Sequence, residues 1–374
     1  MPDTLVIGGS EETKKKTEMA MMKSLMVGLA AGAAFGAFAS PFGVPDIPRT
    51  SHNVRVSALS DSDRAHILKV FEENVYGVRP DLSGFKPVQK VVKTEEAPEF
   101  GAIRKTVELN IMTPIGERTF KTYAYFPKKE GKVPVFVYLS FNDPQKFDAS
   151  TYHGNLCWDV KDVLARGYAT ASFCYNDVLP DRADVFANVT RGTNDWGAIS
   201  CWALGASRVV DWLETEPQAD CTKLGVVGLS RLGKTALWAG ATDTRFAFVA
   251  PTCSGCFGAR IQNVNWRGET IRQINDKFPH WFAPKCRTFN GKDNELPFSQ
   301  HWLLATVAPR LLAVASAEDD WWACPAGEML SWELSRAVWG NDSARSHYFI
   351  RRGEHNIRES NWLNYLDFVK SHGW

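Results

Sequence analysis

The segment from Gly228 to Thr235 reads GLSRLGKT and fits two functional patterns. At every fixed position it matches the phosphate-binding pattern G-x-x-x-x-G-K-[ST], in which backbone N–H groups, a lysine and a hydroxyl hold a nucleotide and its magnesium ion. It also resembles a nucleophile elbow, in which Ser230 would stand on a sharp turn between a strand and a helix. The strict elbow pattern is G-x-S-x-G, whereas here position 232 is Leu and the glycine is Gly233. The pattern alone therefore favours a nucleotide-binding loop over a nucleophile elbow.

Residues farther along the chain reverse this preference. An elbow serine needs a carboxylate and then a histidine, each placed after a later strand of the same sheet. The apolar run Leu311 to Ala315 is followed by the acidic residues 318–320, and the run His347 to Ile350 is followed by His355. An acidic loop is usually a solvated turn and a single histidine is usually structural. Their joint occurrence in the order Ser, acid, His favours a hydrolase over a nucleotide-binding enzyme.

The pattern of strands and helices predicts how these loops come together. Alternating or continuous apolar stretches predict strands at Ala102 to Met112, Arg118 to Phe126, Val133 to Leu139, Ala169 to Cys174, Leu224 to Val227, Phe246 to Pro251, Leu311 to Ala315 and His347 to Ile350. Helical patterns separate the later strands, at Trp158 to Arg166, Trp196 to Glu214, Leu232 to Ala241, near His301, Gly327 to Trp339 and Ser360 to Ser371. This alternation predicts a three-layer α/β architecture with a mostly parallel central sheet. The carboxyl ends of such strands gather reactive groups.

Composition excludes several classes of protein. The chain has 374 residues, of which 44% are hydrophobic and 23% are charged, and its net charge is +1. A disordered or collagen-like chain is excluded by this apolar content. Because positive and negative charges balance, no long-range field attracts a polyanion, and we expect no nucleic-acid partner. The sequence does not determine the oligomeric state, and a monomer is the expectation.

The first 39 residues are predicted to be a secretory leader. Lysines precede an apolar run from Leu25 to Phe38, which ends in a small-residue pattern suited to cleavage. The run is shorter than the roughly 20 residues that span a bilayer. We therefore expect a secreted or periplasmic protein without stable membrane insertion. Whether translation starts at Met1, Met21 or Met22 stays open.

Two further regions and eight cysteines complete the organisation. Residues 40–100, with a helix predicted from Asp61 to Tyr76, are interpreted as an N-terminal extension that packs on a catalytic domain formed by residues 101–374. Cys253 and Cys256 are the one close pair of cysteines. A zinc site would need a second such pair or nearby histidines. We predict a buried thiol pair or a local disulfide there, and neither a metal nor an organic cofactor.

Several stretches resemble one known family, the glucuronoyl esterases of carbohydrate esterase family 15, which adopt the α/β-hydrolase fold. The similar stretches span residues 190–355, and the most specific is the G-x-S-R-x-G-K loop; the others are Trp196-Gly197-Ala198-Ile199, Ala206-Ser207-Arg208, Ser254-Gly255, Phe278-Pro279-His280-Trp281-Phe282, Leu296-Pro297, Ala308-Pro309-Arg310 and Ala317-Glu318-Asp319-Asp320-Trp321-Trp322-Ala323. In this family the elbow carries the extra residue seen here, so the nucleotide-like match looks accidental.

The resemblance implies a role for each site residue. It implies Ser230 as nucleophile, His355 as base and Asp320 as acid, although Glu318 or Asp319 could replace Asp320. Arg231 would stabilise the oxyanion, together with its own N–H and a candidate N–H from the 140–143 loop. The sugar would be held by three further residues, which are Lys234, Glu269 and Trp322. The implied substrate is a glucuronic acid ester, as in glucuronoxylan bonded to lignin alcohols, cleaved by a 4-O-methyl-glucuronoyl methylesterase.

The chain departs from the family pattern in two places. Many members carry a Glu at the position of Cys253, so here the acidic loop 318–320 alone would orient the histidine. Fungal members have a disulfide between the positions of Leu229 and Asn356, so the chain resembles the bacterial type. An acetyl xylan esterase, another carbohydrate esterase and a non-catalytic sugar-binding relative remain alternatives. The sequence does not determine the leaving alcohol, the attached polysaccharide or the cysteine pairing.

Overall fold

The computed structural model describes residues 59–145, 158–264 and 266–374, together with Ala20 and Ile47. The predicted leader therefore lies outside the described residues, apart from Ala20. The described chain forms one nine-stranded sheet with helices on both faces, which confirms the predicted three-layer α/β class and the α/β-hydrolase fold. No helix within the described ranges is both long and apolar enough to span a bilayer.

The sheet has an antiparallel part and a parallel part. Its strands are β1 Gln89–Ala97, β2 Ala102–Thr113, β3 Gly116–Pro127, β4 Val133–Ser140, β5 Ala169–Cys174, β6 Ala219–Leu229, β7 Phe246–Thr252, β8 Leu311–Ala317 and β9 Ser346–Arg351. They are arranged in the order β1-β2-β3-β5-β4-β6-β7-β8-β9. The pairs β1–β2, β2–β3 and β3–β5 are antiparallel. The pairs β4–β5, β4–β6, β6–β7, β7–β8 and β8–β9 are parallel. The carboxyl ends of β6, β7, β8 and β9 consequently lie side by side.

Nine α-helices cover the sheet in the described ranges. They are α1 Asp61–Phe71, α2 Val160–Ala165, α3 Tyr175–Val178, α4 Ala198–Leu213, α5 Arg231–Thr242, α6 Ile271–Lys277, α7 Gln300–Ala305, α8 Pro325–Arg336 and α9 Glu359–Ser371. A π-helical turn, Glu72–Tyr76, continues α1 to the end predicted at Gly77. Short 3-10 segments occur at Pro98–Phe100, Pro284–Phe289, Asp293–Glu295 and Ala337–Arg345.

Two apolar clusters lie on opposite faces of the sheet. The larger packs α1, α4, α5, α7 and α8 against the sheet, and the other packs α2 and α9 on the opposite side. Alternation along β4 shows the division, because Val135 and Val137 belong to the larger cluster whereas Phe136 and Tyr138 belong to the other. Burial on both faces explains why the central strands read as continuous apolar runs.

Region 59–100 is joined to the main body by packing and by hydrogen bonds. Ile67 and Phe71 of α1 and Val75 of the following turn are fully buried in the larger cluster. Strand β1 pairs with β2 along its whole length. This strand was not predicted from the sequence, because it is an edge strand with most side chains exposed on both faces and so lacks the apolar alternation that marks a strand. The boundary between 100 and 101 stays a prediction.

Candidate active site

Ser230 lies on a sharp turn between β6 and α5. Its backbone has φ 60° and ψ −125°, a conformation that non-glycine residues rarely adopt. The turn is fixed on both sides, because the Ser230 N–H donates to the Thr252 carbonyl at 2.9 Å and the Ser230 carbonyl accepts from the Lys234 N–H at 3.0 Å. Strain held by surrounding structure in this way is typical of a functional position. The turn has the geometry of the predicted nucleophile elbow.

Two glycines allow the backbone segments of the elbow to approach each other. A Cβ atom on Gly228 would lie 2.1 Å from the Leu232 carbonyl oxygen, and one on Gly233 would lie 2.8 Å from the Thr252 carbonyl oxygen. Neither neighbour could move without displacing backbone. The glycine is required at 233, where α5 passes β7, and position 232 accepts a leucine that is fully buried. The departure from G-x-S-x-G thus has a packing reason.

His355 and Asp320 are joined by a hydrogen bond. The Nδ1 atom of His355 lies 2.5 Å from Oδ2 of Asp320, and Asp320 also accepts from the Ala323 N–H at 3.2 Å. Asp320 is buried, whereas Glu318 and Asp319 are exposed. Of the three acidic residues in this loop, Asp320 is the one that contacts the histidine. The imidazole can therefore be held with Nδ1 as the donor and Nε2 free to accept a proton.

Backbone hydrogen bonds hold the acid loop against the histidine loop. The Glu318 N–H donates to the Arg351 carbonyl at 2.9 Å, and the Asp319 N–H donates to the Gly353 carbonyl at 3.0 Å. These contacts extend the pairing of β8 with β9 by two residues. The two predicted partners are consequently positioned by the ends of neighbouring strands.

A catalytic triad also has a hydrogen bond between its serine and its histidine, and this bond is not formed here. The hydrogen bonds of the described chain include none between Ser230 Oγ and His355. Both residues nevertheless border the same segment, because Ser230 is bonded to Thr252 and the ring of His355 lies within 4.8 Å of the sulfur of Cys253. Such bonds often tighten only when substrate binds.

Arg231 begins α5, and its side chain is only partly exposed. Because it is the first residue of the helix, its N–H has no partner within the helix and is available to an anion. Its guanidinium forms an ion pair with Asp181. The same group lies over three rings, at 4.7 Å from the centroid of Trp281, 5.1 Å from Phe278 and 5.6 Å from Phe141. The arrangement fixes a positive charge on the residue next to Ser230.

Asp181 was not predicted as a site residue, and it connects four neighbours. Its buried carboxylate accepts from the Tyr175 hydroxyl at 2.8 Å, from Nε2 of His280 at 2.7 Å and from the Trp281 indole at 2.8 Å, in addition to Arg231. Burial raises the pKa of Asp181, but the hydrogen bonds from His280 and Trp281 and the charge of Arg231 outweigh it and hold the pKa below its ordinary value. Asp181 is therefore ionised at neutral pH.

The three predicted sugar-binding residues are connected by local contacts. Lys234 is buried and donates from Nζ to the Ser254 carbonyl at 2.6 Å. Burial lowers the pKa of Lys234, and the nearby charge of Glu269 acts in the opposite direction. The Glu269 N–H donates to the Trp322 carbonyl at 2.9 Å, so these two loops are bonded together. Trp322 is 48% exposed and can present its ring to a ligand.

The side chains that the nucleotide hypothesis requires are engaged elsewhere. In a phosphate-binding loop Lys234 would reach the phosphates and Thr235 would bind magnesium. Here the Lys234 ammonium is bonded to Ser254, and the Thr235 hydroxyl donates to the Arg231 carbonyl at 2.8 Å.

Another buried carboxyl, that of Glu328, lies in the same region. Glu328 of α8 accepts hydrogen bonds from the Ser254 hydroxyl at 3.1 Å, the Gly255 N–H at 2.9 Å and the Ser316 hydroxyl at 2.6 Å. Burial raises its pKa to about 7, although these hydrogen bonds act in the opposite direction. Sequence reasoning missed Glu328 because it stands within a helix and outside any motif. It connects the loop after β7 to β8.

Comparison with known proteins gives a consistent assignment. The family model described as "Glucuronyl esterase, fungi" matches residues 148–341. Carbohydrate esterase MZ0003, from an unknown prokaryotic organism, is 31% identical, and the match covers 84% of this chain and 85% of that protein. The 4-O-methyl-glucuronoyl methylesterase 1 of Sodiomyces alcalophilus is 31% identical over 47% of this chain and 40% of its own length.

Solved structures extend the similarity to the fold. A promiscuous CE15 esterase from a marine bacterial metagenome superposes with a TM-score of 0.77 at 29% identity, covering 88% of this chain and 96% of that one. The glucuronoyl esterase from Solibacter usitatus gives a TM-score of 0.75 at 30% identity, covering 88% and 99%. The chain belongs to the glucuronoyl esterase family, carbohydrate esterase family 15, and is a carboxylic ester hydrolase of its bacterial type.

Proposed function

We propose that this protein is a serine esterase that cleaves 4-O-methyl-glucuronoyl esters, such as those linking xylan side chains to lignin alcohols. Ser230, His355 and Asp320 act as nucleophile, base and acid. The single observation that carries the proposal is the bond from His355 Nδ1 to the buried carboxylate of Asp320, in a chain whose strained elbow holds Ser230. The names and activities of the relatives support the substrate class.

The reaction begins with a neutral hydroxyl, which is a weak nucleophile. His355 Nε2 accepts the Ser230 proton as Oγ attacks the ester carbonyl, and Asp320 stabilises the imidazolium that results. The tetrahedral oxyanion accepts hydrogen bonds from the Arg231 N–H and from its guanidinium. His355 then gives the proton to the leaving alcohol. Water repeats the sequence on the acyl-enzyme and releases the free uronic acid.

In loop 140–143 the Asn142 N–H donates to the Ser140 hydroxyl at 3.2 Å, so a further oxyanion donor from this loop would be another of its N–H groups. In this proposal Arg231 supplies the positive charge at the oxyanion, and Asp181 and three rings hold its guanidinium in place. In this proposal Lys234, Glu269 and Trp322 bind the sugar. The proposal also includes the earlier expectations that the protein is exported, is a monomer and needs no cofactor.

The deciding experiment compares Ser230→Ala with the wild type on a benzyl or methyl ester of glucuronic acid. We expect the variant to release no acid above the uncatalysed rate while it keeps the wild-type circular dichroism spectrum and unfolding midpoint. Ser62→Ala, an exposed serine in the first turn of α1, is the matched control and should retain full activity. Equal turnover by the Ser230→Ala variant would refute the proposal.

A panel of esters separates the remaining alternatives. An acetyl xylan esterase would release acetate faster than it cleaves a glucuronate ester. Its small acetyl group would make no use of Lys234 or Trp322, whereas a glucuronoyl esterase would gain from both. A non-catalytic sugar-binding relative would cleave neither ester and would resist labelling by a fluorophosphonate. We expect labelling of Ser230 and preference for the uronate.

A further inference from the structure

We propose that Cys253, Asp320 and His355 form an inhibitory binding site for a thiophilic divalent cation such as Zn²⁺. The proposal rests on the proposed function, since it acts through the base of the triad. It is compatible with the expectation that the reaction needs no metal cofactor, because the ion would stop the reaction and would not assist it.

The three side chains bring suitable donor atoms together. One donor atom each from Cys253, Asp320 and His355 lies within 4.8 Å of the others. Zinc binds sulfur at about 2.3 Å and nitrogen or oxygen at about 2.0 Å, so tetrahedral donors stand about 3.3 to 3.6 Å apart. The His355 Nδ1 and Asp320 Oδ2 atoms are 2.5 Å apart, so they would have to move apart by less than roughly 1 Å to bind one ion. Small side-chain rotations thus reach the required geometry.

The backbone presents Cys253 to this position. Cys253 follows β7 directly, in a left-handed conformation with φ 44°, and its N–H donates to the Ala315 carbonyl of β8 at 2.7 Å. Its sulfur lies 4.0 Å from the Asn356 carbonyl, beside His355. The three ligands therefore come from the ends of three neighbouring strands, which is a rigid frame for a metal site.

The ion can reach the cluster, and soft metals are favoured. Cys253 and Asp320 are buried, but the His355 side chain is 39% exposed and forms the outer side of the cluster. A set of one sulfur, one imidazole nitrogen and one carboxylate oxygen suits Zn²⁺, whereas Mg²⁺ prefers oxygen ligands in octahedral geometry. Water would supply the fourth ligand.

Binding disables the base by changing its tautomer. Coordination uses the lone pair of His355 Nδ1, so the ring proton moves from Nδ1 to Nε2. An Nε2 that carries a proton cannot accept the one from Ser230. The Cys253 thiol also loses its proton to solvent when the metal–sulfur bond forms. The balance is therefore one Zn²⁺ bound and one proton released per site, with no change of oxidation state.

The test combines inhibition with direct binding. We expect Zn²⁺ to inhibit cleavage of a glucuronate ester by the wild type, EDTA to reverse the inhibition, and Mg²⁺ to have no effect. In Cys253→Ala and Cys253→Ser, each normalised to its own metal-free rate, the Zn²⁺ concentration for half inhibition should rise at least tenfold. Cys201→Ala, which removes an equally buried thiol on α4, should behave as the wild type.

A spectroscopic readout separates this inference from the proposed function. Co²⁺ bound at the site should give a sulfur-to-cobalt charge-transfer band that both Cys253 variants lack and the Cys201 variant keeps. Zn²⁺ titration in weak buffer should release about one proton per bound ion. These signals would remain if the protein proved inactive on every ester. Equal Zn²⁺ sensitivity in wild type and Cys253 variants, or a cobalt complex without the thiolate band, would overturn the site.

Discussion

Asp181 forms an ion pair with Arg231, the residue next to the nucleophilic serine of the proposed triad. The pair is largely withdrawn from water and is enclosed by rings, including Trp281, whose indole also donates to Asp181. In such surroundings a fixed charge interacts strongly with charge that develops nearby. We therefore expect Asp181 to be a positioning residue, which acts through Arg231 on the oxyanion of the proposed reaction.

Replacing Asp181 by Asn should lower kcat roughly 10-fold to 100-fold and change KM by less than about 3-fold, because the oxyanion exists only in the transition state. The substitution keeps the size of the side chain but turns an amide toward the guanidinium. Steady-state kinetics on a glucuronate ester gives this split. Asp184→Asn, in the exposed pair of Arg182 with Asp184, should leave both constants unchanged.

A double variant shows whether Asp181 acts through Arg231. If it does, adding Asp181→Asn to Arg231→Ala should cost little beyond the loss caused by Arg231→Ala alone. Losses that multiply would assign Asp181 a separate structural role. Thermal unfolding of all three variants checks that each remains folded at the assay temperature.

The second prediction concerns which acid orients the histidine. Asp320→Asn should lower kcat about 1000-fold to 10,000-fold, because an amide cannot hold the imidazole in the required tautomer or stabilise its charged form. Asp319→Asn should stay within about 3-fold of the wild type, since Asp319 is exposed and contributes only its N–H to the loop. Both rates come from the same ester assay. Equal losses would show that the bond seen between Asp320 and His355 is not the catalytic one.

The sequence predicts the frame of this site well and its supporting contacts poorly. The order Ser230, acid, His355 could be predicted because each residue follows a strand whose apolar pattern is readable. The family resemblance implied Asp320 among residues 318–320 but left Glu318 and Asp319 open, and the structure supports Asp320 because its side chain is buried and bonded to His355. Asp181 and Glu328 could not be predicted. Each has partners far away in the chain, and a single sequence carries no sign of such contacts.

Polar segments explain the errors in the predicted elements. Strand β6 is predicted only from Leu224 to Val227 but begins at Ala219, because the added stretch contains polar residues that hide its pattern. Helix α6 was missed, although Thr270 and Gln273 form a capping box at its start. Its seven residues are too few to show a helical period.

The third prediction tests the sugar-binding role of Trp322. Trp322→Ala should reduce kcat/KM for a glucuronate ester roughly tenfold, the equivalent of about 1.4 kcal/mol, because the exposed ring can stack on the sugar. Cleavage of a simple acetyl ester should change by less than about 2-fold. Trp322→Phe keeps an aromatic face and should recover most of the lost efficiency. A parallel loss on both esters would instead indicate damage to the Asp320 loop, which lies two residues away.

The fourth prediction concerns Glu328 and the dependence of stability on pH. Burial raises the pKa of Glu328 to about 7 from its ordinary value of 4.5, so the folded protein favours the neutral form of this carboxyl. The stabilisation from this group is complete below pH 4.5 and is lost as the pH rises through about 7. Linkage gives a loss on the order of 3 kcal/mol in the free energy of unfolding.

Glu328→Gln removes this titration while it keeps a side chain that can bond Ser254, Gly255 and Ser316. Urea unfolding between pH 5 and 8 should therefore show a fall in stability for the wild type that the variant lacks, so the two curves converge or cross as the pH rises. Glu130→Gln, in the exposed turn between β3 and β4, should follow the wild type. A Glu328 variant with the wild-type slope would show that the carboxyl is ionised throughout this range, and that the hydrogen bonds from Ser254, Gly255 and Ser316 outweigh its burial.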